Sequence, residues 1–229
     1  MIEVTYIDHM GDDISVVNAA RVSFGKKSGW SSFKSGDAHR GVLHDRDRKL
    51  IHYLAEHKHM SPFGHAFASF HVKAPIFVAR QLVKHKFLRW NEISRRYVDS
   101  EPEFYEPDSW RGRSEDKKQG SAGEVELRGD SFGVGYEPWW GDGSLQETTL
   151  NIYKDLLEQG VCPEQARMVL PQSTMTEWYW SGSLDALADM CNLRCTGDTQ
   201  YETRLVANQI CDSMKKLFPV SWFALRLEK

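Results

Sequence analysis

The densest group of polar side chains in the sequence lies at residues 84–97. Six of these fourteen residues are Lys, Arg or His, although the whole chain of 229 residues has 29 Lys and Arg against 32 Asp and Glu. Alternation along an extended segment would place Glu92, Ser94 and Arg96 on one side. A hydroxyl next to a guanidinium suits a phosphate group. Composition alone leaves two interpretations open, a phosphate or nucleotide site and a solvated basic surface.

Two further arginines are candidates for chemistry, and each also has a simple structural explanation. Arg167 lies in a short predicted helix at residues 163–170, where a lone arginine is usually a surface residue. Arg194 ends an apolar helix, where the helix dipole favours a cation. Neither position by itself indicates a function.

The spacing of the histidines argues against a metal site. His57 and His59 would point to opposite sides of a strand, and no HExxH motif is present. We therefore expect no metal and interpret the histidines as surface or supporting residues. The sequence also lacks GxGxxG after a strand, GxxxxGK[ST] and GxSxG, so neither a Rossmann cofactor site, nor a P-loop, nor a serine nucleophile elbow is indicated.

The composition narrows the class of protein. A formal net charge of −3 gives no bulk positive field for nucleic acid. No apolar run approaches the ~20 residues of a membrane span, and the first residues do not resemble a signal peptide. The four cysteines form no CxxC motif, which favours a reducing compartment and a cytoplasmic location. With 41% hydrophobic and 12% aromatic residues, we expect a folded chain.

The elements that would position these residues indicate an α+β fold, a small central sheet flanked by helices. We predict strands at residues 2–7, 66–74 and 174–181. We predict helices at residues 14–22, 48–58, 75–85, 146–159, 163–170, 184–195 and 199–218, with Pro219 ending the last. Residues 100–149 show little periodicity. We interpret them as a loop-rich insertion within a single domain, 1–229.

Several motifs, in a fixed order, resemble those of the flavin-dependent thymidylate synthases. They are HMSPFGH at residues 59–65, FHVKAPIFVARQ at 70–81, Lys84-His85-Lys86, NEISRRY at 91–97, KQGS at 118–121, ARMVLP at 166–171, Trp180, NLR at 192–194 and QYE at 200–202. The ordered set covers most of the chain, and it is far more specific than any single motif.

The resemblance implies a homotetramer with active sites shared between subunits. It also implies FAD as cofactor, bound in a pocket unlike the Rossmann site. The implied reaction transfers a one-carbon unit from methylenetetrahydrofolate to C5 of dUMP and forms dTMP, with NADPH reducing the flavin.

The resemblance also implies roles for individual residues. The residues implied at the cofactor are Ser61, Lys84, His85, Lys86, Glu92, Ser183 and Asp189. The residues implied at the nucleotide are Gln81, Lys84, Glu92, Ser94, Arg95, Arg96, Arg167 and Arg194. Arg194 would be catalytic, because a fixed guanidinium can stabilise negative charge on the pyrimidine ring without itself titrating.

The departures from the family pattern lie on the flavin side. Lys84 and Lys86 replace two arginines, which keeps the charge but loses the forked donor geometry. Ser183 and Asp189 stand where the family often has asparagines. Two alternatives therefore stay open: hydroxymethylation of dUMP or another pyrimidine nucleotide, and a nucleotide-binding homologue without catalysis.

Overall fold

A four-stranded antiparallel sheet carries the elements that position the candidate site. The structure is a computed structural model that describes residues 1–31, 41–98, 100–115, 120–125 and 145–226. The strands of this sheet are β1 (Glu3–Met10), β2 (Phe67–Pro75), β3 (Leu88–Glu92) and β6 (Met175–Ser183), in the order β1-β2-β6-β3. A separate hairpin pairs β4 (Arg111–Arg113) with β5 (Ser121–Glu124).

Eight α-helices are described in these parts of the chain. They are α1 (Asp13–Arg21), α2 (Asp45–Glu56), α3 (Ile76–Leu82), α4 (Leu145–Glu158), α5 (Pro163–Ala166), α6 (Leu184–Arg194), α7 (Tyr201–Leu217) and α8 (Pro219–Leu225). Short 3-10 helices cover Val22–Phe24, Ser61–His65 and Arg167–Val169. Within the described residues, no helix is both long enough and apolar enough to cross a lipid bilayer.

The sheet buries one face, as the alternation in β2 predicts. Phe70 and Val72 are fully buried, whereas their sequence neighbours Ser69 and His71, which point to the other face, remain partly exposed. Helix α7 packs on β1 and β2, and α6 packs on β6. The core between them also buries Trp180. Each large apolar side chain of this kind contributes about 1.5–3 kcal/mol on burial. The α+β fold class is confirmed.

Two strands continue directly into helices, and this continuity fixes the positions of those helices relative to the sheet. Pro75 ends β2 and precedes α3 with a φ of −69°, a value that suits a helix start. Ser183 ends β6 and is also the N-cap of α6. Since Leu88 of β3 pairs with Gly182 of β6, the loop between α3 and β3 ends beside the junction of β6 and α6, and its His85 contacts Arg194 at the end of α6.

The structure differs from the predicted elements in several places. Strand β3 is not among the predicted strands. Helix α3 ends at Leu82, before His85. Pro219 begins α8 instead of only ending α7, because proline fits the first turn of a helix, where its missing N–H costs nothing. The predicted insertion contains β4 and β5. Residues 116–119 and 126–144 of this insertion lie outside the described residues, and with them Lys118 and Gln119 of the KQGS motif.

Candidate active site

A histidine and an arginine 109 residues apart meet at the end of α6. Arg194 Nε donates a hydrogen bond to His85 Nε2 at 3.0 Å. His85 is half-buried, and its ring lies edge-on to Trp180 with 6.4 Å between the ring centroids. Burial, and then the positive charge of Arg194, lower the pKa of His85 to about 4. His85 is therefore neutral near pH 7 and accepts this hydrogen bond through its unprotonated nitrogen.

This pair gives the arginine a fixed direction. Arg194 is half-buried, and this burial lowers the pKa of its guanidinium from the ordinary value. The contact with His85 uses Nε only. The two Nη groups are not needed for it and can donate to a ligand as a planar fork.

Glu92, the last residue of β3, presents an oriented carboxylate. Its Oε2 accepts from Trp90 Nε1 at 3.1 Å, and its Oε1 accepts from Thr176 Oγ1 at 2.8 Å. Trp90 is itself held by stacking on Trp178, with 4.4 Å between ring centroids. The side chain of Glu92 remains exposed. An exposed carboxylate held in this way can accept a further hydrogen bond from a ligand hydroxyl or N–H.

Ser94 and Arg96 are neighbours, as predicted, but the local structure differs from the prediction. The strand stops at Glu92, and residues 94–97 form a turn in which the amides of Tyr97 and Val98 donate to Ser94 O at 3.0 and 3.2 Å. Arg96 Nε donates to Ser94 Oγ at 3.2 Å. The predicted alternation along an extended segment is therefore wrong, yet the turn places hydroxyl and guanidinium together. This arrangement suits an anionic oxygen.

A cavity of about 900 Å³ beside Ser61 is lined by several positively charged side chains. Four Lys or Arg side chains line it, those of Arg21, Lys26, Arg46 and Lys49. Among the described residues, no Asp or Glu lines it. Arg21 is paired with the buried carboxylate of Asp47, whereas the other three make no ion pair with a described residue. Our sequence analysis missed these cations, because they come from separate segments around α1 and α2. The spacing of Arg46 and Lys49, one turn apart on α2, was the available signal.

The remaining predicted residues lie at several places on the chain. Lys84 and Lys86 flank His85 and are exposed, as is Arg167, whose Nε donates to Glu164 O at 3.2 Å. Arg95 Nη1 donates to Ser100 O at 2.7 Å.

The other two predicted cofactor residues lie on or beside α6. Ser183 is half-buried at the end of β6. The side chain of Asp189 reaches solvent, but partial burial of its carboxylate and then the nearby Asp185 raise its pKa. Of the residues predicted from the resemblance, Ser61 is the one that lines the basic cavity. In the described part of the chain, no group of three or more His, Cys, Asp or Glu is placed to hold a metal ion.

Comparison with known proteins agrees with the resemblance. The family model of thymidylate synthase complementing protein matches residues 5–220. A flavin-dependent thymidylate synthase of Thermus thermophilus is 38% identical over 221 residues, which cover 96% of this chain and 74% of that protein. The flavin-dependent thymidylate synthase of Thermosipho africanus is also 38% identical, over 216 residues, 93% of this chain and 86% of that one.

A solved structure extends the likeness to the fold. The crystal structure of the UMP/dUMP methylase PolB from Streptomyces cacaoi, bound with 5-Br UMP, superposes with a TM-score of 0.77 at 30% identity. The match covers 98% of this chain and 93% of that one. The chain belongs to the flavin-dependent thymidylate synthase family, and it is an enzyme of this kind.

Proposed function

We propose that the enzyme transfers a one-carbon unit from methylenetetrahydrofolate to C5 of dUMP, with FAD as cofactor and NADPH as reductant, and releases dTMP. The observation that carries the proposal is the Arg194–His85 pair. C5 of uracil is a weak nucleophile, and negative charge on the ring strengthens it. A guanidinium held in one direction by a neutral histidine would stabilise that charge without losing a proton itself.

The nucleotide would be held mainly by charged and polar groups near β3. The Ser94–Arg96 pair would receive its phosphate, with Arg95 and Arg167 as further cationic ligands. Glu92 would accept a hydrogen bond from the rest of the nucleotide, and Gln81 would donate one to it. None of these groups is activated as a nucleophile, and Ser94 in particular hydrogen-bonds a guanidinium and not a base.

The basic cavity at Ser61 fits the anionic part of a flavin dinucleotide. Lys26, Arg46 and Lys49, which have no carboxylate partner among the described residues, suit a diphosphate together with the hydroxyl of Ser61. When bound, FAD would supply the redox chemistry of the reaction. Lys84, His85, Lys86, Ser183 and Asp189 are the further residues that we propose at the cofactor.

We also propose a homotetramer whose sites are completed between subunits. The cavity at Ser61 is lined by none of the residues at the Arg194–His85 pair or at the Ser94–Arg96 turn. In the proposed assembly, a cofactor in this cavity would contact the Arg194–His85 pair of a neighbouring chain. Sedimentation of the purified protein, with and without FAD, tests this assembly.

A second candidate product is a hydroxymethyl pyrimidine nucleotide. It is favoured by the changes at the proposed flavin side, above all Asp189, which carries a carboxylate with a raised pKa beside Asp185. A water molecule trapping the transferred one-carbon unit would give this product. The pyrimidine could also be that of UMP, since PolB is a UMP/dUMP methylase.

The decisive experiment is product analysis with purified protein, FAD, NADPH, methylenetetrahydrofolate and either dUMP or UMP. With dUMP as substrate, mass spectrometry should show dTMP, and a product heavier than dTMP by one oxygen atom would establish the second candidate. Arg194→Lys should lower kcat strongly while flavin stays bound, because lysine keeps the charge and loses the fork. Arg113→Lys, at an exposed position on β4, is the matched control. Equal kcat in both variants would refute the role of Arg194.

A further inference from the structure

A buried threonine at the start of α7 bonds to a side chain far away in sequence. Thr203 is fully buried in the first turn of α7. Threonine hydroxyls in helices commonly donate to a backbone carbonyl one turn earlier in the same helix. Here Thr203 Oγ1 donates instead to Gln81 Oε1 on α3, at 2.9 Å. The hydroxyl therefore ties the two helices together at this point.

This contact defines the orientation of the Gln81 amide in the structure. A glutamine amide has one acceptor oxygen and one nitrogen with two donor protons. With Oε1 occupied by Thr203, Nε2 is the end that can face a ligand. If the amide turned over, Oγ1 of Thr203 could accept from Nε2. Its own proton would then have to be donated to a backbone carbonyl of the preceding turn, and the hydrogen bond that holds Oε1 would be lost.

The first turn of α7 is itself held in place. Glu202, next to Thr203, forms an ion pair with Arg111 of β4. The guanidinium of Arg111 also lies over the ring of Tyr201, 4.5 Å from its centroid. Thr203 is therefore presented to Gln81 from an anchored turn, while Gln81 lies four residues before His85 along the chain.

We propose that Thr203 is a positioning residue of the nucleotide site, which holds Gln81 so that Nε2 donates to an acceptor oxygen of the nucleotide. The inference rests on the proposed function, in which Gln81 is a nucleotide ligand. A phosphate oxygen and a pyrimidine carbonyl oxygen share this acceptor chemistry. A side chain at position 81 that only accepts hydrogen bonds should therefore weaken binding of the nucleotide.

The test removes the hydroxyl without changing the shape of the side chain. Thr203→Val should raise KM for dUMP about two- to tenfold, the range of one lost hydrogen bond, with kcat little changed. Thr203→Ser keeps the hydroxyl and should restore KM. Ser213→Ala is the matched control, because Ser213 lies on the same helix and donates only to Gln209 O, at 3.0 Å, within it. Urea unfolding of each variant checks that the fold is intact.

Variants of Gln81 separate failure of this inference from failure of the proposed function. Gln81→Glu, which has acceptors only, should raise KM for dUMP more than Thr203→Val does. An unchanged KM in Thr203→Val, with a raised KM in Gln81→Leu, would overturn the role of Thr203 and leave the proposed function standing. No effect of Gln81→Leu on KM would remove Gln81 from the nucleotide site, and the inference with it.

Binding of deoxyuridine, which lacks the phosphate, identifies the oxygen. If Thr203→Val weakens binding of dUMP and deoxyuridine by the same factor, the acceptor is on the nucleoside part. If it weakens dUMP alone, the acceptor is on the phosphate. Either result supports the donor role of Nε2.

Discussion

The low pKa of His85 should make the stability of the enzyme depend on pH. The pKa is about 4 in the folded chain, against an ordinary value of 6.5. Between these values the unfolded chain binds more protons than the folded one, so stability must fall as the pH is lowered through this window. Protonation would place a second cation beside Arg194 in a partly buried position, which is the physical reason for the loss.

The size of the effect follows from the same two values. The difference corresponds to an upper limit of about 3 kcal/mol, reached only below about pH 4. At pH 5, linkage gives at most about 2 kcal/mol. Because His85 is only half-buried, solvent screens the charge, and we expect about 1 kcal/mol.

Urea unfolding followed by tryptophan fluorescence, at pH 8 and at pH 5, measures this contribution. His85→Gln retains an acceptor for Arg194 but cannot be protonated, so the variant should lose about 1 kcal/mol less than the wild type between the two pH values. His65→Gln, at an exposed position, should behave as the wild type. Equal pH dependence in His85→Gln and wild type would refute the reasoning.

Three further predictions concern the proposed phosphate site, the basic cavity and the contact between α1 and α8. Arg96→Ala should weaken dUMP binding by about 1.5–3 kcal/mol, the loss of a charge-assisted contact, and calorimetry with dUMP measures it. Lys49→Ala should weaken FAD binding by about 0.5–1 kcal/mol, and less at high salt, as a fluorescence titration of flavin would show. Asp13→Ala should destabilise the fold by about 2 kcal/mol in urea unfolding, because the buried carboxylate accepts from the amides of Val220 and Ser221 at 3.0 and 2.8 Å; an unchanged midpoint would contradict this role.

Local patterns predict the regular elements well. Strand β2 shows why, since its alternation of apolar and polar residues directly reflects one buried face. The end of α4 also follows from local sequence, because Gly160, just after the helix, has a φ of +85°, which favours glycine. Proline is less informative. Pro219 ends one helix and begins the next, and the residue type permits both.

The geometry of the candidate site could not be predicted in this way. The motifs named His85 and Arg194 separately, but their contact depends on the pairing of β3 with β6 and on the length of α6. The cations around Ser61 come together only because α1 and α2 pack side by side. No periodicity in the sequence encodes such long-range neighbours, and no family motif had pointed to these cations.

The absence of a linker between β6 and α6 constrains how this enzyme can change. Leu184, the first residue of α6, donates its amide to Ala66 O at 2.9 Å, so the helix start is pinned to the segment before β2. One residue added or removed within α6 would rotate everything after it by about 100° and carry Arg194 away from His85. Divergence within the family should therefore tolerate length changes in the connections elsewhere, while residues 184–194 accept replacement but not insertion.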